Sequence, residues 1–187
     1  MKIYTGTGDA GKTSLFSGER LPKYSLRVET YGETDELCSI VGAVVAMVPS
    51  CKEEKKLTAD LQRIQADLFD IGALLATSPG SPEADLLKPF PVEKIKWLED
   101  HIDEMQKVLP ALHSFILPGG HPSSAWAQVT RTICRRVERA VVTLDEREGC
   151  LHGKVVMTYL NRLSDYFFVL ARYLNHLAGT EEITWHG

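Results

Sequence analysis

The sequence predicts an all-α fold, a bundle of five helices behind an irregular N-terminal arm (residues 1–25). Three observations predict it. Apolar residues recur at helical period in five separate stretches, clusters of glycine and proline punctuate the gaps between them, and no stretch beyond the first few residues reads as a strand. With 187 residues, 44% of them hydrophobic, the chain can bury one sizeable core and reads as a single domain over 1–187, the arm followed by a bundle over 26–187.

The arm, MKIYTGTGDAGKTSLFSGERLPKYS, is rich in Gly, Thr, Ser and Lys and shows no sustained period. Within it, Gly6-Thr7-Gly8-Asp9-Ala10-Gly11-Lys12-Thr13 matches two patterns at once, GxxxxGK[ST] of a P-loop and GxGxxG of a dinucleotide fold. Both need a strand before and a helix after. Gly18 and Pro22 leave no room for that helix, and no later apolar strand ends in an Asp that serves as a Walker B residue. The physical content outlives the fold label: consecutive Gly and Thr let backbone N–H groups converge on an anion, and Lys12, Arg20 and Lys23 add charge. The competing reading is a flexible tail.

The first helix is expected from Thr34, a candidate N-cap followed by Asp35-Glu36, with Leu37, Ile40, Val41, Val44 and Val48 on one face and Pro49 as its stop. The second runs from about Lys55 to Leu75 on Leu57, Leu61, Ile64, Leu68, Ile71 and Leu75. Thr77 to Pro91, with four prolines and Gly80, is a long loop. Val92, Ile95, Leu98, Ile102 and Met105 mark the third helix, ended by Pro110. His113 to Pro122 is an apolar segment turning at Pro118-Gly119-Gly120, in which Phe115, Ile116 and Leu117 read as a buried connection unless a ligand covers them. Ser123 or Ser124 caps the central helix, Ala125 to Leu144, whose Trp126, Val129, Ile133, Val137, Ala140 and Leu144 form a core-facing stripe. Gly149 and Gly153 close the next link. The last helix, Lys154 to Ala178, packs Val156, Tyr159, Leu160, Leu163, Phe167, Leu170 and Leu174, with Gly179 as its C′ residue.

The central helix also carries the chemistry. Arg131, Arg135 and Glu138 fall together opposite the apolar stripe, flanked by Arg136 and Arg139. Glu138 can pair with Arg135 on a solvated face, and such pairs contribute only about 0.2–0.5 kcal/mol each. Four Arg against one Glu nevertheless leave like charges uncompensated, and guanidinium forks suit an anion or the carboxylate of a partner. On the last helix Asn161, beside Arg162 and Asp165, reads either as a ligand of a metal or of a phosphate-bound water, or as a helix-to-helix hydrogen bond.

Several classes are disfavoured. A net charge of −4, with no Lys/Arg run interleaved with aromatics, argues against nucleic acid. Cys38, Cys51, Cys134 and Cys150 show no CxxC and no Cys/His metal spacing, as expected of reduced thiols in the cytoplasm. No apolar run reaches the ~18 residues of a membrane span. Met1 to Tyr4 lead straight into the glycine-rich run without an apolar or Arg-rich leader.

Five blocks taken together carry a resemblance: Thr5-Gly-Thr-Gly-Asp-Ala-Gly-Lys-Thr-Ser-Leu15, Tyr31-Gly-Glu-Thr-Asp-Glu-Leu37, Phe115-Ile-Leu-Pro-Gly-Gly120, Arg131-Thr-Ile-Cys-Arg-Arg-Val-Glu-Arg139 and Tyr159-Leu-Asn-Arg-Leu-Ser-Asp-Tyr166. In this order the set resembles the PduO-type ATP:cob(I)alamin adenosyltransferases. The resemblance implies a ferritin-like five-helix bundle assembled as a homotrimer. Each subunit interface would transfer the 5′-deoxyadenosyl group of ATP to the cobalt of cob(I)alamin and release triphosphate, with Mg²⁺ accompanying ATP.

Residue by residue, the resemblance places ATP on Thr5, Gly6, Thr7, Gly8, Asp9, Gly11, Lys12 and Thr13, with Lys23 as a further phosphate contact. It pairs Asp35 of one subunit with Arg131 of the next, at the nucleotide and the corrinoid. Arg135 and Glu138 fall on the catalytic helix, Asn161 near the nucleotide and its Mg²⁺, and Phe115 beneath the corrin ring. Gly6 stands where the family often has Lys or Arg, so Lys12 or Lys2 would supply that charge. A reductase delivering Co(I) and an adenosylcobalamin-dependent client enzyme are the further partners implied. The alternatives are a P-loop-like kinase or NTPase, which would release ADP and phosphate, and a non-catalytic corrinoid carrier.

Overall fold

The computed structural model describes Tyr4 and residues 6–185; Thr5 lies outside the described residues. The order is β1 (Lys12–Ser14), β2 (Arg20–Pro22), α1 (Leu26–Val45), α2 (Glu54–Leu75), a 3₁₀ turn (Pro82–Leu86), α3 (Glu93–Gln106), α4 (Pro122–Glu148) and α5 (Gly153–Leu177). The five expected helices are present. The arm is more regular than expected, because β1 and β2 pair antiparallel with Thr13 opposite Leu21. No helix of the described residues is long and apolar enough to cross a membrane.

The first helix starts a full two turns before Thr34. Ser25 stands at its N-cap in extended conformation. Thr34 is not a cap: it is buried mid-helix, and its hydroxyl donates to the Thr30 carbonyl at 3.0 Å, as Thr30 does to Leu26 at 2.8 Å. Back-bonding of this kind satisfies the hydroxyls inside a helix and hides its real start in a polar-looking sequence. The helix also ends before Pro49, at Val45.

The central helix likewise begins earlier, at Pro122, whose ring suits the first helical position. His121, not a serine, is the cap: its ring Nδ1 accepts from the Ser123 N–H at 3.3 Å. Ser124 instead donates to the Gly119 carbonyl at 3.1 Å. The buried stripe of α4 is rotated from the expected one. Ala127, Thr130, Cys134 and Val141 join Ile133, Val137 and Leu144 inside, whereas Val129 is exposed. Gly149 (φ 72) ends α4 and Gly179 (φ 64) ends α5, both in the left-handed region that glycine accepts without strain.

The core lies between the helices, with Leu37, Leu61, Ile64, Ile71, Leu98, Val137, Leu160 and Phe167 fully buried. Two polar anchors cross it. The Tyr159 hydroxyl donates to Asp67 at 2.9 Å, and Asp67 also pairs with Lys94 at 2.7 Å. Arg27, 2% exposed, donates to the carbonyls of Leu75 (3.0 Å), Thr77 (3.2 Å) and Gly149 (2.8 Å) and lies 3.4 Å from the Glu148 carboxylate.

Replacing Arg27 with Met would leave buried carbonyls without donors, and a buried group stripped of its partner costs about 1–3 kcal/mol. The expected outcome is a drop in unfolding free energy of about 3 kcal/mol in urea titration, with a larger loss of protease resistance in residues 12–22 than in α3. A second expectation concerns alkaline pH. Burial, then the Asp145 carboxylate, pushes the Cys150 thiol from 9.0 up to about 12. Burial likewise raises Cys134, Tyr159 and Tyr166. Raised folded-state values mean that the fold favours the neutral forms, so this stability is complete below the ordinary values and is lost as pH climbs. Urea midpoints should therefore hold to pH 9 and fall between about pH 9 and 12.

Candidate functional site

In the arm, Gly6 (φ 71) and Gly11 (φ 76) occupy the left-handed region and make two tight turns, with Asp9 N–H on Gly6 O at 3.3 Å and Gly11 N–H on Gly8 O at 3.2 Å. Basic groups close on this loop. Arg20 donates to the Thr7 carbonyl at 2.7 Å, the Lys23 N–H donates to Gly11 O at 2.9 Å, and a Cβ on Gly8 would stand 3.4 Å from the Lys23 ammonium. Lys12 is exposed and Thr13 half-buried on β1. A strand thus follows the glycine-rich loop where a P-loop or dinucleotide fold needs a helix.

The arm is also docked. Leu15 is buried, Phe16 N–H donates to Ala76 O at 3.1 Å, Ser78 N–H donates to the Ser17 hydroxyl at 3.4 Å, and the Ser78 hydroxyl donates to Glu19 at 2.8 Å. Arg27 fixes the end of α2 on which it sits.

The guanidinium ladder of α4 divides into two parts. Arg136 is neutralised by Glu36 and, at 3.5 Å, by Glu33, both on α1. Arg131 donates to the amide oxygen of the buried Gln128 at 2.8 Å. Among the described residues no carboxylate pairs with Arg131 or Arg135. Burial, then the like charge of Arg135, lowers the Arg131 pKa. The expected Arg135–Glu138 pair is not made. Glu138 instead accepts from Asn161 of α5 at 3.1 Å, so the helix-to-helix hydrogen bond joins two of the residues singled out by sequence.

Phe115 lies elsewhere, on the loop between α3 and α4. It is 78% exposed, with the Trp185 ring 6.5 Å away at 66°. The expectation of a buried connection fails for Phe115 and Leu117, and the reason is strand geometry. Leu117 N–H donates to Ile183 O at 2.8 Å and Trp185 N–H to Phe115 O at 2.7 Å, around a bridge between Ile116 and Thr184. Alternation turns Ile116 half inward and its two neighbours out.

Asp35, exposed, lines a groove of about 380 Å³ between α1 and α2 with Phe16, Tyr31, Phe69 and Ala73. Phe69 and Phe16 are 70% and 55% exposed there, two aromatic rings on the rim of one groove. Within one chain Asp35 and Arg131 form no ion pair among the described residues, and Phe115 joins neither.

The family model for cobalamin adenosyltransferase matches residues 3–174. The chain belongs to the cobalamin adenosyltransferase family. It is 43% identical to the corrinoid adenosyltransferase of Bacillus subtilis over 185 residues, 99% of this chain and 92% of that one. The corrinoid adenosyltransferase of Homo sapiens is 42% identical over 97% of this chain and 72% of its own. The fold superposes with a TM-score of 0.92 and 39% identity, over 100% of both chains, on a variant of the PduO-type ATP:corrinoid adenosyltransferase from Lactobacillus reuteri complexed with cobalamin and ATP.

Among the described residues no group of three or more His, Cys, Asp or Glu is placed to hold a metal ion. Sequence reading missed Gln128, whose position three residues before Arg131 on a helix was the available signal, and the Glu33–Glu36 counter-charges for Arg136, which sit on another helix.

If the Arg131–Arg135 pair is built for an anion, Arg135→Ala should leave the unfolding midpoint within about 0.5 kcal/mol of the parent, as for surface changes generally. It should weaken triphosphate binding about tenfold in calorimetry, roughly the strength of one charge-assisted hydrogen bond. Unchanged triphosphate binding would make the ladder a solvated face.

Proposed function

We propose that this chain transfers the 5′-deoxyadenosyl group of ATP to the cobalt of cob(I)alamin, releasing triphosphate, at sites shared between the subunits of a homotrimer. Its full-length likeness to an enzyme solved with both cobalamin and ATP carries this reading. The Co(I) electron pair forms the Co–C bond at C5′ as the C5′–O bond breaks. Triphosphate leaves with that bond pair, and cobalt becomes formally Co(III). Co(I) brings no proton, so no general base is required.

The developing charge on triphosphate is what the protein must stabilise, typically by preorganised donors. We assign this to the amides and side chains of Thr5, Gly6, Thr7, Gly8, Asp9, Gly11 and Thr13, with Lys12, Lys23 and Arg135. Supporting it are the left-handed turns at Gly6 and Gly11 and the Lys23 ammonium held against Gly8. Glu138 and Asn161 offer adjoining oxygen donors, which suits Mg²⁺, a cation that keeps several waters and takes one or two protein ligands beside phosphate oxygens. Bound there, it would neutralise phosphate charge.

Asp35 of one subunit meets Arg131 of the next in this reading. The exposed Phe16 and Phe69 flanking Asp35 support a covered face there, and Arg131, hydrogen-bonded to the neutral Gln128 with no carboxylate beside it among the described residues, supports a partner carboxylate. Phe115, presented outward by its strand-like loop, lies beneath the corrin ring and fills the place of the lower axial base. Four free thiols suit the reducing cytoplasm, where a reductase supplies Co(I) and a client enzyme takes the product.

The test is anaerobic. Mixing the protein with cob(I)alamin and MgATP should give a light-sensitive Co–C product together with triphosphate. Phe115→Ala should keep ATP affinity and lose about a hundredfold in turnover, as displaced groups at a reacting centre do. ADP and phosphate would instead indicate an NTPase, and tight corrinoid binding without turnover a carrier.

A further inference from the structure

The loop that carries Phe115 is held at its start, its middle and its end by α5 and by the C-terminal strap, residues 180–185. At its start, Arg172 Nη2 donates to the Pro110 carbonyl at 2.9 Å. At its end, Asn175 Oδ1 accepts from His121 N–H at 2.9 Å, and its Nδ2 donates to Gly119 O at 3.1 Å. Only glycine fits at position 120: φ is 98, and a Cβ would stand 2.3 Å from Asn175 Oδ1. In its middle, the loop pairs with the strap through the Leu117–Ile183 and Trp185–Phe115 hydrogen bonds.

The strap has its own anchor. Arg172 grips Glu182 with two nitrogens, Nε to Oε1 at 2.9 Å and Nη2 to Oε2 at 3.0 Å. Arg172 is 5% exposed and sits on α5, whose neighbours Ala171 and Leu174 are fully buried. One guanidinium on a rigid helix therefore holds both the start of the loop and the strand that pairs with its middle.

The physics of this pair points to geometry more than to stability. A buried ion pair is often no more stabilising than apolar residues of the same size, whereas a two-pronged guanidinium–carboxylate contact fixes orientation. Orientation matters here because side chains alternate along paired strands. Slipping the strap by one residue against Phe115–Leu117 would turn its own side chains to the opposite face and carry the Trp185 ring, 6.5 Å from that of Phe115, away from it.

We infer that Arg172 and Glu182 are positioning residues that lock the register of the strap and thereby set where the Phe115 ring stands for adenosyl transfer. This rests on the reading of Phe115 as the group beneath the corrin.

Glu182→Ala, Phe115→Ala and the double variant test it, each assayed for kcat, ATP affinity and the visible spectrum of bound cob(II)alamin with ATP, which reports loss of the lower axial base. Glu182→Ala should leave ATP affinity within about twofold and lower kcat about tenfold, within the range a displaced group can cause. It should also lower the base-free fraction and speed amide exchange at Leu117 and Trp185. In the Phe115→Ala background it should change kcat and spectrum no further, since both act through one ring. Glu182→Gln, which keeps size and one good acceptor, should fall between the parent and Ala, and serves with the same readouts if the Ala variant does not fold. Unchanged kcat and spectrum in the Glu182 variants, or losses that multiply with those of Phe115→Ala, would overturn the inference. If Phe115→Ala alone leaves turnover and spectrum intact, the reading of Phe115 fails first and the positioning role fails with it.

Discussion

The buried guanidinium of Arg27 is the constraint on which the arm-bearing end of the molecule depends. A charge taken out of water must be surrounded by acceptors, and Arg27 finds them in the last carbonyl of α2, that of Leu75, in Thr77 and in Gly149 at the end of α4. These are the orphan carbonyls that helix ends leave behind. One side chain therefore satisfies itself and two helix termini at once, and it fixes how α1, α2 and α4 meet. The arm then docks on Ala76 and Ser78, immediately beyond that junction. The glycine-rich loop is an irregular segment placed by a rigid joint.

How much of this was legible in the sequence follows from how local each signal is. Helix number, the ends of α2 and α5, and the glycine terminus at Gly179 rest on period and backbone chemistry, and were readable, whereas α4 runs on past the expected Leu144 to Glu148 before Gly149 ends it. The start of α1 was hidden because Thr30 and Thr34 satisfy their hydroxyls on their own helix, a bond that leaves no trace in apolar spacing. The strap on Phe115–Leu117 joins Ile116 to Thr184, far along the chain, and no local period reports such a pairing. The site was half legible: residue types on α4 were visible, but which arginines were already neutralised was not. Glu33 and Glu36 reach Arg136 from α1, and only the fold brings them there.

That sorting of charges is what separates scaffold from chemistry on α4. Arg136 belongs to the packing of α1 against α4. Arg131 and Arg135 are left beside a hydrogen-bonded Glu138–Asn161 pair, so positive charge and hard oxygen donors adjoin on the same pair of helices. A displacement by a nucleophile that carries no proton asks for that combination. Its barrier lies in the departing polyanion, which fixed cations and amides stabilise without rearrangement.

The placement of Cys134 has a consequence for chemical selectivity. It stands between Arg131 and Arg135 in the sequence, yet its sulfur points inward, donating to the Leu160 carbonyl at 3.3 Å, and burial raises its pKa. A thiolate is a soft ligand and a strong nucleophile, able both to bind a transition metal and to accept an alkyl group. Kept protonated and enclosed, this sulfur competes neither for cobalt nor for the adenosyl carbon, and the protein avoids alkylating itself there.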